Sequence, residues 1–446
     1  MKLNQNWITF RRSFWFLPTF YGTLALLLAI LTITIEEIVP SDSINDYIPN
    51  VLLTDMKLGQ TILSAIATSI LTMTTITFSS IMVVLTTYSS QFSPRTLQDF
   101  ISDVITQRVL GIFTGGIIFS LLLLLFLKGV SDKNLFIAPG LAVIWAIICL
   151  VFFVYFIHHV ATWTQVNNLI DKITSSTQKT INNSFHLSDE KTQMKELSAS
   201  NDVDNMDSSN AITILSNTSG YLQMIDLPTM MKRACDDDFV IKIERRIGDY
   251  IIKGTSLFTV INPKKLSEKT QKKYHEFFSI GTERTTIQDV EFGLQKLVEI
   301  ALRAISPAIN DPHTAINCIN RIGTLLAELG TVSFPKPYHY DKKDELRIII
   351  DIQSYRELLY KSFYQIRHYG RQDVSVCAST LSVLHGIVEK NKDLSIRKTI
   401  WDFAIYFVEG IDKDVLLDWD LNFINEKIKR LAKTVERESE YTQIKL

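Results

Sequence analysis

Six polar residues in the second half of the chain have the composition of a small-ligand site: Arg284, Asp289, Arg303, Asn310, Asp311 and His313. Brought together they would form a polar site for a small ligand or a partner loop, and no specific chemistry follows from them. The same residues have a structural account. In Ser306-Pro307-Ala308-Ile309-Asn310-Asp311-Pro312-His313-Thr314, Asp311 is a good helix N-cap and Pro312 a good first helical residue. An Asp–His pair without a nucleophile at a recognisable elbow specifies no reaction, and the chain has no H-E-x-x-H, Walker loop or G-x-G-x-x-G. No catalytic residue, metal or cofactor is assigned, and the chain is not expected to be an enzyme.

A second set of residues is defined by spacing. Ser64, Thr75 and Thr86 recur every 11 residues, and so do Thr68, Ser79 and Ser90. Eleven residues make almost three helical turns, so these hydroxyls share one face. That face either lines a hydrated path in an oligomer or packs against a neighbouring helix, where small hydroxyl residues let backbones approach closely.

The elements that must carry these residues divide the chain of 446 residues in two. A bilayer core requires about 20 apolar residues per helix. Four segments supply them: residues 14–38, 60–88, 109–128 and 135–158, with no charge in their interiors. Residues 1–163 are therefore expected to be a four-helix transmembrane domain in a bacterial cytoplasmic membrane. The first span follows Arg11 and Arg12 as a signal peptide would, but it lacks a small-residue cleavage site and reads as a retained anchor.

Lys2, Arg11 and Arg12 precede the first span, Arg95 and Arg108 separate the second and third, and Lys172 and Lys179 follow the fourth. The positive-inside rule then places both termini in the cytosol. Ser93 and Pro94 are placed to start an interfacial helix over about 94–106.

Residues 164–210 read as a helical extension followed by a flexible polar linker. Residues 211–263 are rich in β-branched types and end in Gly248-Asp249-x-Ile251-x-x-Gly254-x-x-Leu257-x-x-Val260, which resembles the half-barrel signature of biotinyl/lipoyl-type barrel-sandwich domains. Asn262, Pro263, Lys264 and Lys265 lead into a helix-like segment instead of a carrier hairpin, so neither biotin nor lipoate is expected. Residues 264–446 read as a mainly helical domain, with a helix running from Arg284 and one strand over 346–352. The fold class is thus a membrane α-helical region followed by a cytosolic α+β region.

A net charge of -1 argues against nucleic acid as a partner. Cys149, Cys235, Cys318 and Cys377 have no metal-ligand spacing and fit a reducing compartment. The expected partners are the lipid bilayer, further copies of the chain and a small ion or solute.

The string 90–95 (Ser-Gln-Phe-Ser-Pro-Arg), Gly220-Tyr221 with Asp226, Gly248-Asp249, Arg284 with Gln288-Asp289 and Phe292-Gly293, the string 306–312, and Arg367-x-Tyr369-Gly370 together resemble a widespread bacterial family of predicted membrane proteins classed as a domain of unknown function. The resemblance implies membrane location and this domain order, and no activity. Function reads as a homo-oligomeric channel or transporter with a cytosolic regulatory domain. The alternative is a membrane-anchored sensor or scaffold that binds a small ligand or protein through that domain.

Overall fold

A computed structural model describes residues 15–38, 53–91, 95, 103–127, 136–163, 165–185, 211–261, 263, 266–332, 334 and 337–441. The chain divides into two compact units, Met1–Val166 and Asn167–Leu446. The expected linker over 186–210 lies outside the described residues.

Among the described residues the first unit contains four helices long and apolar enough to cross a membrane. They are α1 (Phe16–Ile38), α2 (Met56–Gln91), α3 (Val104–Phe126) and α4 (Ala138–Trp163). The third is the central one. A Cβ on Gly111 would lie 2.7 Å from the Tyr21 ring of α1, and one on Gly116 would lie 2.9 Å from Trp145 of α4. Small residues bring these backbones together, as expected where lipid supplies no hydrophobic drive between helices. Phe119 stacks on Trp145 with ring centroids 5.4 Å apart.

Polar contacts tie the helix ends. Glu36 Oε1 at the end of α1 accepts the Ile137 and Ala138 amides, both at 2.7 Å, and so caps α4. Asp103 caps α3 through the Thr106 amide and meets His159 of α4 at 2.9 Å. The expected interfacial helix over 94–106 lies outside the described residues apart from Arg95 and 103–106. Residues 104–106 form the first turn of α3, because Asp103 satisfies that turn's free amides.

Helix α5 (Val166–Phe185) belongs to the second unit from Asn167 onward and buries Leu169, Ile170, Ile173, Thr177 and Ile181 at helical spacing. The β-rich module follows. It comprises β1 (Ala211–Leu215), β2 (Gly220–Ile225), α6 (Leu227–Asp237), β3 (Val240–Ile243), β4 (Tyr250–Ile251), β5 (Ser256–Ile261), α7 (Glu268–His275) and β6 (Phe278–Gly281). One sheet has the order β4-β2-β6. The other runs β1-β5-β3 and is completed by β8 (Leu346–Ile350) and β7 (Tyr338–Tyr340).

Strand β8 lies parallel to β3, with Ile241 opposite Ile348, and the remaining pairs are antiparallel. The module is therefore wider than 211–263 and carries a helix between β2 and β3, unlike the half-barrel it resembles in sequence. Strand β3 would otherwise expose an edge, and the distant β8 covers it. Leu222, Ile241, Phe258, Val260, Tyr274 and Ile348 fill the core of this module.

Six helices complete the unit: α8 (Val290–Ala304), α9 (Pro312–Leu329), α10 (Tyr355–Gly370), α11 (Val374–Lys390), α12 (Leu394–Glu409) and α13 (Asp418–Thr434). Helix α8 begins at Val290 and not at Arg284, since the Asp289 carboxylate takes the Phe292 amide and fixes the start. Successive helices run back and forth. The ends where α8, α10 and α12 finish are therefore the ends where α9, α11 and α13 begin.

Candidate functional site

The six polar candidates of the second unit do not converge. Arg284 and Asp289 stand before the first turn of α8, whereas Arg303, Asn310, Asp311 and His313 follow from its last turn. The 15 residues of α8 put about 22 Å between the two groups.

At the first position the Arg284 guanidinium donates from Nε and Nη2 to the two oxygens of Asp289, at 2.8 and 2.9 Å. Its Nη1 donates to Gln295 Oε1 at 3.1 Å, and its Cζ lies 5.2 Å from the centroid of the Phe292 ring. The fork geometry fixes the pair in two directions at once. Burial holds the Asp289 carboxyl up at about 6, above its ordinary 3.8, despite the guanidinium beside it.

Gly248 packs directly on this pair with φ at +92°. A Cβ there would lie 2.5 Å from Asp289 Oδ2 and 2.6 Å from Arg284 Nη2. Next to it, Gln288 takes the Ile225 amide on its side-chain carbonyl at 3.0 Å. Gln288-Asp289 therefore fastens the sheet module to α8. With Nε, Nη1 and Nη2 each donating within the unit, the Arg284–Asp289 pair acts as a clasp.

Sequence reasoning missed the other half of this clasp. Arg246 donates from Nε and Nη2 to Asp351 at 2.7 and 2.9 Å and from Nη1 to Glu357 at 3.1 Å, joining the β3–β4 turn to the start of α10. Glu291 accepts from Lys361 Nζ at 2.8 Å. These residues are far apart in sequence and share no motif, so no local signal announces them. Gly293 is explained as well, for a Cβ on it would lie 2.1 Å from Thr177 Oγ1 and push α5 off α8.

The second position is a pair of helix ends joined by a turn. Asn310 adopts φ +52°, its amide donates to the Ser306 carbonyl at 2.9 Å, and the Asp311 amide donates to Ala304 at 2.8 Å, closing α8. Asp311 then caps α9, accepting from the Thr314 amide at 3.1 Å and the Thr314 hydroxyl at 2.6 Å. That hydroxyl, chiefly, holds the Asp311 carboxyl below the usual carboxylate range. Arg303 is half-buried and engaged, and His313 is exposed. Among the described residues no group of three or more His, Cys, Asp or Glu is placed to hold a metal ion.

In the first unit the hydroxyl face of α2 points away from its neighbours. Ser64, Thr68, Thr75, Ser79 and Thr86 are all exposed, and the side chain of Ser90 lies outside the described residues. The packed face carries Leu63, Ala67, Ile70, Thr77, Ile81 and Val84 at alternating steps of three, four and seven. Thr68, Thr75 and Thr86 donate to the carbonyls four residues back, at 2.9, 3.0 and 2.9 Å, so their oxygens are turned outward as acceptors. A shallow depression runs along Lys57, Gln60, Thr61, Ser64, Thr68 and Thr72.

Comparison with known proteins gives a family and relatives. The model of the family described as "Predicted membrane protein (DUF2254)" matches residues 11–386. Uncharacterized protein Rv1290c of Mycobacterium tuberculosis is 28% identical over 384 residues, covering 84% of this chain and 72% of its own length. Uncharacterized protein Mb1321c of Mycobacterium bovis matches with the same identity and coverage. No solved structure matches.

Proposed function

The chain belongs to this family of predicted membrane proteins, and on that premise we propose that it is a homo-oligomeric channel or transporter for a small ion or solute, with α2 of each copy nearest the symmetry axis. The observation that carries the reading is the outward hydroxyl face of α2. Five hydroxyl residues in register lie on the side that no described helix of the same unit covers. Back-bonding of the threonine protons leaves oxygen lone pairs to meet water or a cation across that face. In this reading the membrane is the bacterial cytoplasmic membrane, both termini are cytosolic, and the second unit regulates access from that side. Catalysis has no part in it.

The test is ion flux into sealed liposomes holding the purified full chain, read with fluorescent indicators. Flux above that of empty liposomes is expected, lowered by Thr75→Leu and by Ser79→Leu. Thr77→Val is the control. Its hydroxyl is buried on the opposite face and finds no hydrogen-bond partner among the described residues, so flux should be retained. Wild-type flux no greater than that of empty liposomes ends the reading.

The exposed turn over 307–311 favours a second reading, a membrane-anchored sensor or scaffold that binds a ligand or protein there. Loss of a captured partner on Ile309→Asp, with flux absent throughout, would select it over the first.

A further inference from the structure

The large apolar side chains exposed on the helical part of the second unit are concentrated at one end. The turn between α8 and α9 carries Ile309, 39% exposed, and the end of α10 carries Tyr369, 66% exposed. The start of α13 carries Leu417 at 73% and Trp419 at 88%, with Val415 just before them. Internal contacts put these segments side by side. A Cβ on Gly370 would touch Ile305 Cδ1 at 3.5 Å, which joins the end of α10 to the end of α8. The Asp412 amide donates to the Arg371 carbonyl at 3.2 Å and Gln372 Nε2 donates to Asp412 at 2.9 Å, which joins the approach to α13 to the end of α10.

Helix α5 begins at this same end. Its first turns lie along the first turns of α9. Asn317 Nδ2 donates to Asn167 at 2.8 Å, and Arg321 pairs with Asp171 at 2.6 Å. Further on, Thr177 meets Gly293 and Thr180 donates to the Thr286 carbonyl at 2.5 Å, toward the start of α8. The beginning of α5 is thus at the end of the bundle that carries Ile309, Tyr369 and Trp419. Chain connectivity does the rest, because the last membrane helix finishes at Trp163 and α5 begins at Val166. Three residues of extended chain reach about 10 Å, so the first turn of α5 cannot be far from the lipid headgroups.

We propose that this end of the second unit is a bilayer-contacting surface, with Trp419, Leu417, Tyr369 and Ile309 seated at the boundary between headgroups and hydrocarbon. Tryptophan and tyrosine are the side chains that favour that boundary, having an apolar body and a polar edge. The charges around them are interleaved, Asp412, Asp414 and Asp418 against Arg371 and Lys413, so apolar insertion carries the contact and no anionic headgroup is required. The opposite end supplies an internal comparison. Leu394, at the start of α12, is 79% exposed and lies at the other end of the bundle. The inference is independent of whether α2 lines a pore.

Full-length protein in phosphatidylcholine nanodiscs tests it. A nitroxide is attached at Trp419→Cys in a Cys235→Ser background, and the matched control carries it at Leu394→Cys. The ratio of relaxation by oxygen, which partitions into lipid, to relaxation by a water-soluble nickel chelate is expected to be severalfold higher at position 419 than at 394. It should be unchanged when anionic lipid is added. Tyr369→Cys gives the same measurement at an independent position if the first variant folds poorly. Equal ratios at the two ends overturn the proposal. So does dipolar broadening at 419 that disappears on dilution with unlabelled protein while nickel access stays high, the outcome of docking on a second copy. A high ratio that appears only with anionic lipid also overturns it.

Discussion

Helix α8 has the Arg284–Asp289 pair before its first residue and the Ser306 to Pro312 turn after its last, and the two ends are built on different principles. The first is buried and cross-linked. Asp289 is 4% exposed, forked by Arg284, roofed by Gly248 and followed by ion pairs to α10. The second is exposed and closed by its own backbone, by the Ser306 hydroxyl on the Arg303 carbonyl and by the Asp311 cap. Charge-assisted bonds that have lost their water must be kept intact, whereas a solvated turn tolerates change. The difference teaches that the polar residues at one end hold the unit together, while those at the other shape a surface.

The strongest challenge to that contrast is Asp289→Ala. It leaves Arg284 half-shielded from water and without its forked partner, so a loss of about 3–5 kcal/mol is expected, read from thermal unfolding of the purified protein. A loss smaller than at Asp311 would erase the distinction between the ends. The same residue has a pH signature. Its carboxyl titrates at about 6 in the folded protein against 3.8 ordinarily, so the folded state holds the proton more tightly. The stability this group contributes is therefore complete below pH 3.8 and is lost as pH rises through about 6. Subtracting the Asp289→Asn stability curve from that of wild type should give a difference that falls across this window and is flat above it. A rising difference would show that Arg284 outweighs burial.

Gly248→Ala comes next, since the added carbon meets both members of the pair and the backbone has a positive φ. A loss of about 1–3 kcal/mol is expected, and an unchanged midpoint would mean the clasp yields easily. At the exposed end Asp311→Ala removes one N-cap and should cost about 1 kcal/mol, with Asp311→Asn restoring most of it. The smallest effect belongs to Trp419→Ser. Its side chain is 88% exposed, so stability in detergent should stay within about 0.5 kcal/mol of wild type. A larger loss would mean Trp419 is part of the bundle's packing.

Much of this was legible in the residues. The four membrane helices follow from uninterrupted apolar length, and the sharing of one face of α2 by its hydroxyls follows from the 11-residue repeat, while the outward direction of that face came from the packing. Asp311 as a cap and Pro312 as a first residue were readable because a cap is satisfied within four residues. The start of α8 was misplaced toward Arg284 because its apolar spacing begins at Ile287, before Asp289 fixes the first turn. Arg246, Asp351 and Glu357 could not be found, since their pairing joins positions more than 100 residues apart.

Sequence alone settled which segments are long and apolar enough for lipid, which residues cap helices, and which face of α2 bears hydroxyls, for these depend on length, period and bonds to near neighbours. Only the tertiary structure decided that β8 completes the sheet beside β3, that α8 separates Arg284 and Asp289 from the 303–313 group, and that Ile309, Tyr369 and Trp419 share one end. Each of those outcomes depends on which surfaces pack together across long stretches of chain. Loop closure between distant residues costs nearly the same entropy for many alternative pairings, so the choice falls to the shape and charge of the surfaces once folded.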